Sequence, residues 1–369
     1  MPPPTTDLAR RLASTESVLT EDARFGFDEL QLAFRNRGML LEALGYDITP
    51  TGMHFLLTHF DVPQIDAGKW RLDVGGLFAQ KFALPLAELR KLPQKTLTVT
   101  MECAGNGRAL LNPRPVGQPW INEAVSTARW TGVPLATLLR RAGLRPTASE
   151  IVFWGADSGI ERGDEHTYAR SLKVADAMRE EVLLALDMNG APLEPQHGAP
   201  LRLIVPGWYG MASVKWIRRI EAVERPFEGH QQAHNYHYRQ TPDAPGVPVT
   251  HIRVRALIQP PGIADFVSRA RVLDAGRVRL FGRAWSGAGV PVTHVDVAIN
   301  GEWRPAELAV QVGGYAWRAW SCEWDAQPGE YQLSCRATDA HGEIQPLEQW
   351  WNRSGMGNNR VQKVAVLVR

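Results

Sequence analysis

The hydrophobic and polar positions divide the chain into two parts in which apolar residues recur with different periods. Up to about residue 225, short apolar runs typical of strands alternate with segments of helical spacing. This alternation predicts an α+β domain. The predicted elements are two strands within Asp66–Lys81, a helix at Leu84–Leu92, a helix at Leu135–Ala142, a strand at Ile151–Trp154, a helix over Leu172–Ala177, a strand at Leu201–Pro206 and a sheet strand continuing from Ser213 to Val223.

After a polar segment at Gly229–Pro248, whose proline and glycine content predicts a linker, the pattern changes to strands only. Roughly seven short alternating runs with turn signals between them predict an immunoglobulin-like sandwich. We therefore expect a tail at residues 1–25, a mixed α/β domain at 26–245 and an all-β sandwich at 246–369. The clearest sandwich runs are Ile252–Leu257, Arg277–Ala284, Thr293–Ile299, Tyr315–Trp320, Tyr331–Thr338 and Gln362–Val368.

The composition narrows the class of protein. With 369 residues, 44% hydrophobic and 22% charged, the chain is typical of a globular protein of two domains. Its net charge of +2 gives no electrostatic case for a nucleic acid partner. No apolar run reaches the roughly 18 residues of a membrane span, and Met1–Asp7 has no signal pattern. These features favour a cytoplasmic protein, although a removed signal would leave the periplasm open.

Two of the three cysteines form a pattern of their own. Cys322 and Cys335 lie on strand-like runs at equal distances from the turn centre within Ala326–Glu330, so they are expected to face each other across a hairpin. In a reducing compartment we expect free thiols, but the sequence leaves a disulfide open.

The third cysteine carries the clearest chemical signal. In Thr98–Arg108 a β-branched run ends at Cys103, followed by Ala-Gly-Asn-Gly and then Arg108. The glycines allow a sharp turn and a close approach to a ligand. A lone thiolate near a guanidinium suits a soft metal and an anionic substrate. On this loop alone, a small buried hydrophobe is the more common role for a single cysteine such as Cys103.

Further motifs extend the pattern along most of residues 50–369. The motifs are Ser126–Val133, Val182–Gly190, His197–Arg202, Pro206–Gly210, Ser213–Trp216, Ala284–Gly287 and the Trp351–Asn352 to Asn358–Asn359 stretch. Together with the cysteine loop they resemble the sulfite oxidase family, the molybdenum-pterin oxidoreductases. The last motif is also similar to assimilatory nitrate reductase. The resemblance implies a catalytic molybdopterin domain followed by a dimerisation domain.

The resemblance also implies roles for individual residues. Cys103 matches the protein ligand to molybdenum, and Arg108, Trp120 and Tyr168 match the substrate pocket. An arginine offers forked donors to an oxyanion, and arginine and lysine suit the pterin phosphate. The residues that match cofactor-binding positions are His59, Asp157, His197, Arg202, Ser213, Val214 and Lys215.

Some positions depart from the sulfite oxidase pattern. Leu57, Ala212 and Ser354 stand where the family carries arginines, and Arg353 is adjacent to the last of these. A charge-assisted hydrogen bond contributes about 1.5–3 kcal/mol, so a pocket without these cations would bind a dianion less tightly. The sequence therefore supports the scaffold and the molybdopterin cofactor more strongly than it supports sulfite as the substrate.

The implied activity is oxygen-atom transfer to or from a small oxyanion, with oxidation of sulfite to sulfate as the first choice. Reduction of an S-oxide or nitrate by the same cofactor, and a non-catalytic relative of the fold, remain alternatives. The chain has no haem-binding motif, so electrons would pass to a separate one-electron acceptor such as a cytochrome c. The implied homodimer would use the sandwich, where Trp303, Trp317 and Trp320 are either exposed interface residues or sandwich core.

Overall fold

The computed structural model describes residues 25–161, 163–241 and 243–369. The tail predicted at residues 1–25 therefore lies outside the described residues, apart from Phe25. The described residues form a mixed, strand-rich first part followed by a two-sheet sandwich, which confirms the predicted fold class. No helix among the described residues is long and apolar enough to cross a membrane.

Helices are few and short, and the best formed is the predicted helix Leu135–Ala142. Its three leucines are fully buried, while Arg140 and Arg141 occupy the last turn, where cations favour the helix dipole. Gly143 ends it in the left-handed conformation. The described helices are Phe27–Arg35, Leu86–Leu89, Leu135–Ala142 and Val174–Ala177, with 3-10 turns at Leu41–Gly45, Thr51–Met53, Arg108–Leu110, Pro195–His197 and Gly210–Ala212.

A mixed five-stranded sheet forms one wall of the first part. Its strands are β1 (Arg71–Gly76), β2 (Phe82–Pro85), β5 (Glu150–Glu161), β6 (Asp164–Lys173) and β10 (Arg219–Val223). They lie in the order β2-β1-β10-β5-β6, with only β1 and β10 parallel. The pairing of β5 with β6 shifts register between Trp154 and Ser158, so this long hairpin carries a bulge around Asp157.

A second, antiparallel sheet carries the cysteine loop. Its strands are β3 (Lys95–Glu102), β4 (Val125–Pro134), β7 (Leu183–Met188), β8 (Ala191–Pro192) and β9 (Arg202–Ile204). They follow the order β3-β4-β7-β8, and β9 also pairs with β7. Because β3 ends at Glu102, the sheet delivers Cys103 at the end of a strand, and β9 begins at Arg202.

The sandwich pairs a four-stranded sheet with a six-stranded sheet. The first contains β13 (Arg255–Ile258), β16 (Gly276–Trp285), β20 (Arg318–Ala326) and β19 (Glu307–Leu308) in that order. The second contains β14 (Ile263–Ala264), β15 (Arg271–Leu273), β22 (Lys363–Val368), β21 (Gly329–Asp339), β17 (Val292–Ile299) and β18 (Glu302–Pro305). A shared core of both parts includes Cys103, Trp285 and Trp317, so the sandwich packs directly behind the cysteine loop.

Several predicted elements have different bounds. Asp66–Lys81 holds one strand, β1, because its partner β2 begins only at Phe82. Ser213–Ile217 is not a strand. A 3-10 turn at Gly210–Ala212 comes directly before it, and the next strand, β10, begins only at Arg219. The predicted helices at Leu84–Leu92 and Leu172–Ala177 shorten to Leu86–Leu89 and Val174–Ala177, because the flanking residues extend strands or enter turns.

The segment predicted as a linker is built into the first part. It contains a π-helical turn at Gln231–Asn235 and a two-stranded ribbon of β11 (His237–Tyr238) with β12 (Val247–Pro248). Tyr236 between them is buried. The polar composition of this segment therefore does not indicate a linker between domains, because its polar side chains bond to the neighbouring strands.

The predicted hairpin between the two sandwich cysteines is wrong. Cys322 on β20 lies opposite Leu280, whereas Cys335 on β21 lies opposite Val297 in the other sheet. The intervening turn carries the chain from one sheet to the other, and all three cysteines are buried free thiols. Of the three tryptophans predicted as interface or core, Trp317 and Trp320 are buried, which agrees with core, and Trp303 is half-buried.

Candidate active site

The cysteine loop is fixed by its own backbone. The amide of Cys103 donates to Ala124 O at 2.9 Å, and Asn106 N donates to Cys103 O at 3.0 Å. Gly107 adopts a left-handed conformation with φ of 90°, which a side chain would disfavour. The loop therefore turns sharply after β3 and holds Cys103 in the wall of a cavity.

Burial raises the pKa of the Cys103 thiol, while the Arg108 guanidinium and a hydrogen bond from the Gly105 amide oppose that rise. The Trp120 indole also favours the thiolate, although its Nε1 has no partner of good hydrogen-bond geometry. A metal that binds here must displace the thiol proton, because the thiolate is the ligand form.

Arg108 occupies a space that glycines leave open. A Cβ at Gly105 would lie within 2.8 Å of its guanidinium, and one at Gly355 would lie 2.7 Å from its Cγ. The guanidinium donates from Nε to Ser354 O and from Nη1 to Gln118 O, both at 3.0 Å. These bonds fix its plane and leave Nη2 for a ligand beside the loop.

Most of the predicted cofactor residues line one inner cavity with Cys103. Asp157 reaches it from the bulge in β5, and Arg202 from the start of β9. The predicted residues that line it are His59, Cys103, Asp157, Tyr168, His197, Arg202, Ser213 and Lys215. Val214 and Trp120 are buried beside this group but do not line it, so the structure brings eight of the eleven together here.

Two basic side chains of the inner cavity bond to carbonyl oxygens, and the charge of Asp157 acts on one of them, Lys215. Arg202 donates to His197 O and Ser213 O at 3.1 and 3.2 Å, and burial lowers its pKa to about 9. Lys215 Nζ donates to Leu57 O and Gln196 O, and burial lowers its pKa as well. Among the described residues neither cation forms a salt bridge, although buried charges are normally paired. The cavity is therefore suited to an anionic group such as a phosphate.

Other polar atoms of the cavity wall are also left without partners. His54 Nε2, Asp157 Oδ1 and Arg202 Nε are buried and make no hydrogen bond. Burial lowers the pKa of His54 to about 4 and of His197 to about 2, so both imidazoles are neutral at pH 7. Neutral imidazoles, a carboxyl and cations can hydrogen-bond a polar ring that carries a phosphate. The residues present therefore fit a phosphorylated pterin.

An outer cavity of about 680 Å³ adjoins the inner one. The two cavities share Leu57, His59, Cys103 and Tyr236 as lining residues, so Cys103 lies at their junction. The outer cavity adds Arg108, one of the two predicted substrate residues that the inner cavity lacks. Most of the predicted cofactor residues line the inner cavity, and the predicted substrate residue Arg108 lines the outer one.

Two of the three departures from the family pattern, Leu57 and Ser354, fall on the outer cavity. Leu57, Arg353 and Ser354 line it, and Arg353 is exposed. Ala212 is buried and lines neither cavity. The outer cavity consequently carries fewer permanent charges than the family pattern implies, with Arg108 nearest to Cys103.

The sequence reasoning missed Tyr236, which lines both cavities. Its hydroxyl lies 2.8 Å from His59 Nε2, and burial raises its pKa well above the ordinary value. The Tyr168 hydroxyl instead donates to Met211 O at 2.9 Å. Tyr168 stays a prediction as a substrate residue, but Tyr236 is nearer the substrate side. Tyr236 was not predicted because it lies in the polar segment that the sequence analysis interpreted as a linker.

His59 faces the outer cavity with an exposed side chain, yet the protein around its ring lowers the pKa to about 4. The main cause is desolvation, followed by the charge of Lys215. His59 Nε2 is the hydrogen-bond partner of the Tyr236 hydroxyl at the junction of the two cavities.

A buried polar network from the sandwich holds the cysteine loop, and sequence reasoning missed this too. Arg255 Nη1 donates to Glu102 Oε1 at 2.8 Å, and Trp285 Nε1 donates to Glu102 Oε2 at 2.9 Å. Asn358 Nδ2 donates to Gly107 O at 2.8 Å, and Gly357 N donates to Ala104 O. The sandwich therefore fixes both ends of the loop that presents Cys103.

Comparisons with known proteins agree with this geometry. The family "Oxidoreductase molybdopterin binding domain" matches residues 59–231, and the "Mo-co oxidoreductase dimerisation domain" matches residues 247–369. The sulfite oxidase of Gallus gallus is 33% identical over 340 residues, which cover 84% of this chain and 71% of that protein. The mitochondrial sulfite oxidase of Rattus norvegicus is 34% identical over 347 residues, or 87% of this chain.

The chain spans 62% of the length of the rat enzyme. Among solved structures, the sulfane dehydrogenase SoxCD of Paracoccus pantotrophus matches with a TM-score of 0.78 and 25% identity, over 97% of this chain and 96% of its own. The molybdopterin-binding match covers the residues of the inner cavity from His59 to Lys215. The chain belongs to the sulfite oxidase family, whose members are molybdopterin oxidoreductases.

Proposed function

We propose that this chain oxidises sulfite to sulfate and passes the electrons to a separate one-electron acceptor such as a cytochrome c. The observation that supports this is the placement of Cys103, Arg108 and Tyr236 around the junction of the two cavities. In the reaction sulfite gains one oxygen atom, ultimately from water, and two electrons and two protons are released. When bound, the molybdenum cofactor supplies the oxygen transfer and the redox change.

The residues of the chain supply binding and charge. Cys103 would hold the metal, and Arg202 and Lys215 would bind the pterin phosphate. Arg108 would orient the substrate through its free guanidinium edge, which is fixed by the bonds to Ser354 O and Gln118 O. Tyr236, kept as a neutral hydroxyl by its raised pKa, would donate to a substrate oxygen.

We also propose that the protein is a homodimer through the sandwich and acts in the cytoplasm. The match to a Mo-co dimerisation domain supports the dimer. Sedimentation of the purified protein would test it, because a monomer at micromolar concentration would contradict the proposal.

The proposed reaction is tested on protein expressed in a host that makes molybdopterin. Elemental analysis should give near-stoichiometric molybdenum, and the same sample should reduce ferricyanide when sulfite is added. Bound molybdenum without sulfite turnover would reject sulfite as the substrate, and a protein without molybdenum would reject the enzyme assignment.

A second candidate substrate is a less charged sulfur compound or nitrate. The neutral side chains of Leu57 and Ser354 in the outer cavity favour it, and the similar Paracoccus structure is named a sulfane dehydrogenase. Parallel assays with sulfite, an S-oxide, nitrate and a compound with sulfane sulfur distinguish the two candidates by kcat/KM.

Restoring a cation at Leu57 should improve the use of sulfite. We expect Leu57→Arg to lower KM for sulfite roughly tenfold, since one charge-assisted hydrogen bond contributes about 1.5–3 kcal/mol. Steady-state kinetics with sulfite measures the change. Ile160→Arg is the matched control, because Ile160 also lines the outer cavity but is 76% exposed at its rim. Equal effects of both variants would show that the gain comes only from net charge.

A further inference from the structure

The hairpin of β5 and β6 holds the segment that carries Tyr236. Glu161, the last residue of β5, accepts hydrogen bonds from Gln231 Nε2 at 3.0 Å and from Asn235 Nδ2 at 2.8 Å. His230 Nε2 lies 3.2 Å from Oε2 of the same carboxylate. One carboxylate thus gathers three side chains of the turn that immediately precedes Tyr236.

The neighbouring strand adds further contacts to the same turn. Arg170 on β6 donates from Nη1 to Gln231 O, and its guanidinium lies 5.3 Å from the centre of the Tyr236 ring. The rings of His166 and His230 stack with centroids 3.9 Å apart. The turn at Gln231–Asn235 is π-helical, a rare conformation that occurs frequently at functional sites.

Substrate binding does not account for a carboxylate at this place. Glu161 lines the outer cavity, where a negative charge repels an anionic substrate. Burial acts to raise its pKa, but the bonds from Asn235 and Gln231 and the nearby His230 outweigh burial and keep the pKa below the ordinary value. The charged carboxylate is therefore kept for its contacts with the turn.

We propose that Glu161 is a positioning residue, which sets the place of the Tyr236 hydroxyl at the junction of the two cavities by anchoring the turn at 230–235. This inference rests on the proposed function only in taking Tyr236 as a substrate-facing residue. Glu161 itself need not touch the substrate. Its effect on turnover passes through the 2.8 Å contact between Tyr236 and His59 and through the direction of the tyrosine hydroxyl.

The variants are Glu161→Ala, Tyr236→Phe and the double variant. Loss of a residue that orients a site group costs roughly 10–100-fold, so we expect Glu161→Ala to lower kcat by that factor while molybdenum content stays unchanged. In the Tyr236→Phe background the same change should have almost no further effect, because both act through one hydroxyl. Glu161→Gln keeps an acceptor for Asn235 and should recover part of kcat.

Glu165→Ala is the matched control, since Glu165 is an exposed carboxylate on the same hairpin. It should leave kcat unchanged. A full additional loss from Glu161→Ala in the Tyr236→Phe background would overturn the proposal, because Glu161 would then act on the substrate independently. Equal effects of the two glutamate variants would overturn it as well.

Amide hydrogen exchange tests the anchoring without turnover. In Glu161→Ala, amides of residues 231–236 should exchange faster than in the unaltered protein, and in Glu165→Ala they should not. Unchanged exchange in Glu161→Ala would contradict the anchoring. If the unaltered enzyme fails to oxidise sulfite, the proposed function is rejected, whereas the exchange experiment still decides the role of Glu161.

Discussion

Replacing Cys103 with serine should abolish turnover while leaving the fold intact. A hydroxyl is a hard, poorly ionised donor, whereas molybdenum bound through sulfur needs a soft thiolate. The loss should exceed the roughly 10–100-fold that follows removal of an outer partner of a metal site. The loop geometry depends on backbone bonds of Cys103, which serine keeps. We therefore expect the free energy of unfolding to fall by about 1 kcal/mol, a common value for point variants.

The chain offers a matched control in Cys322. Cys103 and Cys322 are both 8% exposed, so Cys322→Ser introduces the same change at the same burial, but inside the sandwich. Turnover with sulfite and ferricyanide, molybdenum content and urea unfolding are measured on both variants. An active Cys103→Ser enzyme would remove Cys103 from the mechanism, and an inactive Cys322→Ser enzyme would attribute the loss to folding.

Local patterns predicted the parts of the site that lie close together in sequence. The turn after β3, with Cys103 and Arg108, could be predicted because glycines and a strand end determine it within a few residues. The helix Leu135–Ala142 was predicted with its observed bounds for the same reason, since its apolar period and Gly143 are local. Such features do not depend on what packs against them.

Features that arise from distant contacts could not be predicted in this way. The polar turn before Tyr236 has the composition of a linker, but contacts with distant residues such as Glu161 and Arg170, about 60–70 residues earlier, place it beside the cavity. A turn signal between Cys322 and Cys335 is the same for a hairpin and for a crossing between sheets, and the sandwich core decides between them. The period of apolar residues does not distinguish a linker from a packed turn, or a hairpin from a crossing between sheets.

Replacing Arg255 with methionine should be the most destabilising of the changes considered. The side chains of Arg255 and Glu102 are each 2% exposed, and the residues lie 153 positions apart in sequence. Removing one partner of a buried pair leaves the other charge without compensation, which costs about 3–5 kcal/mol. Asn122 Oδ1 and Asn358 O also lose the donors that Arg255 provides.

The consequence should reach Cys103, the proposed metal ligand. Glu102 is adjacent to Cys103, and its carboxylate also accepts bonds from Trp285 and Asn106. Without Arg255 the carboxylate has to move toward water or take up a proton, and either change shifts the residue that precedes the ligand. We expect Arg255→Met to retain less molybdenum per chain and to lose turnover in proportion or more.

Arg277→Met is the control, because Arg277 pairs with Glu323 on the same sheet of the sandwich but is 80% exposed. Loss of the Arg277–Glu323 pair should lower the free energy of unfolding by less than about 1 kcal/mol, as is usual for surface pairs. Urea unfolding gives both free energies, and elemental analysis gives the molybdenum content. If Arg255→Met were no less stable than Arg277→Met, the buried network would not stabilise the fold. If it were unstable but kept full molybdenum and turnover, the sandwich would not hold the cysteine loop in its active position.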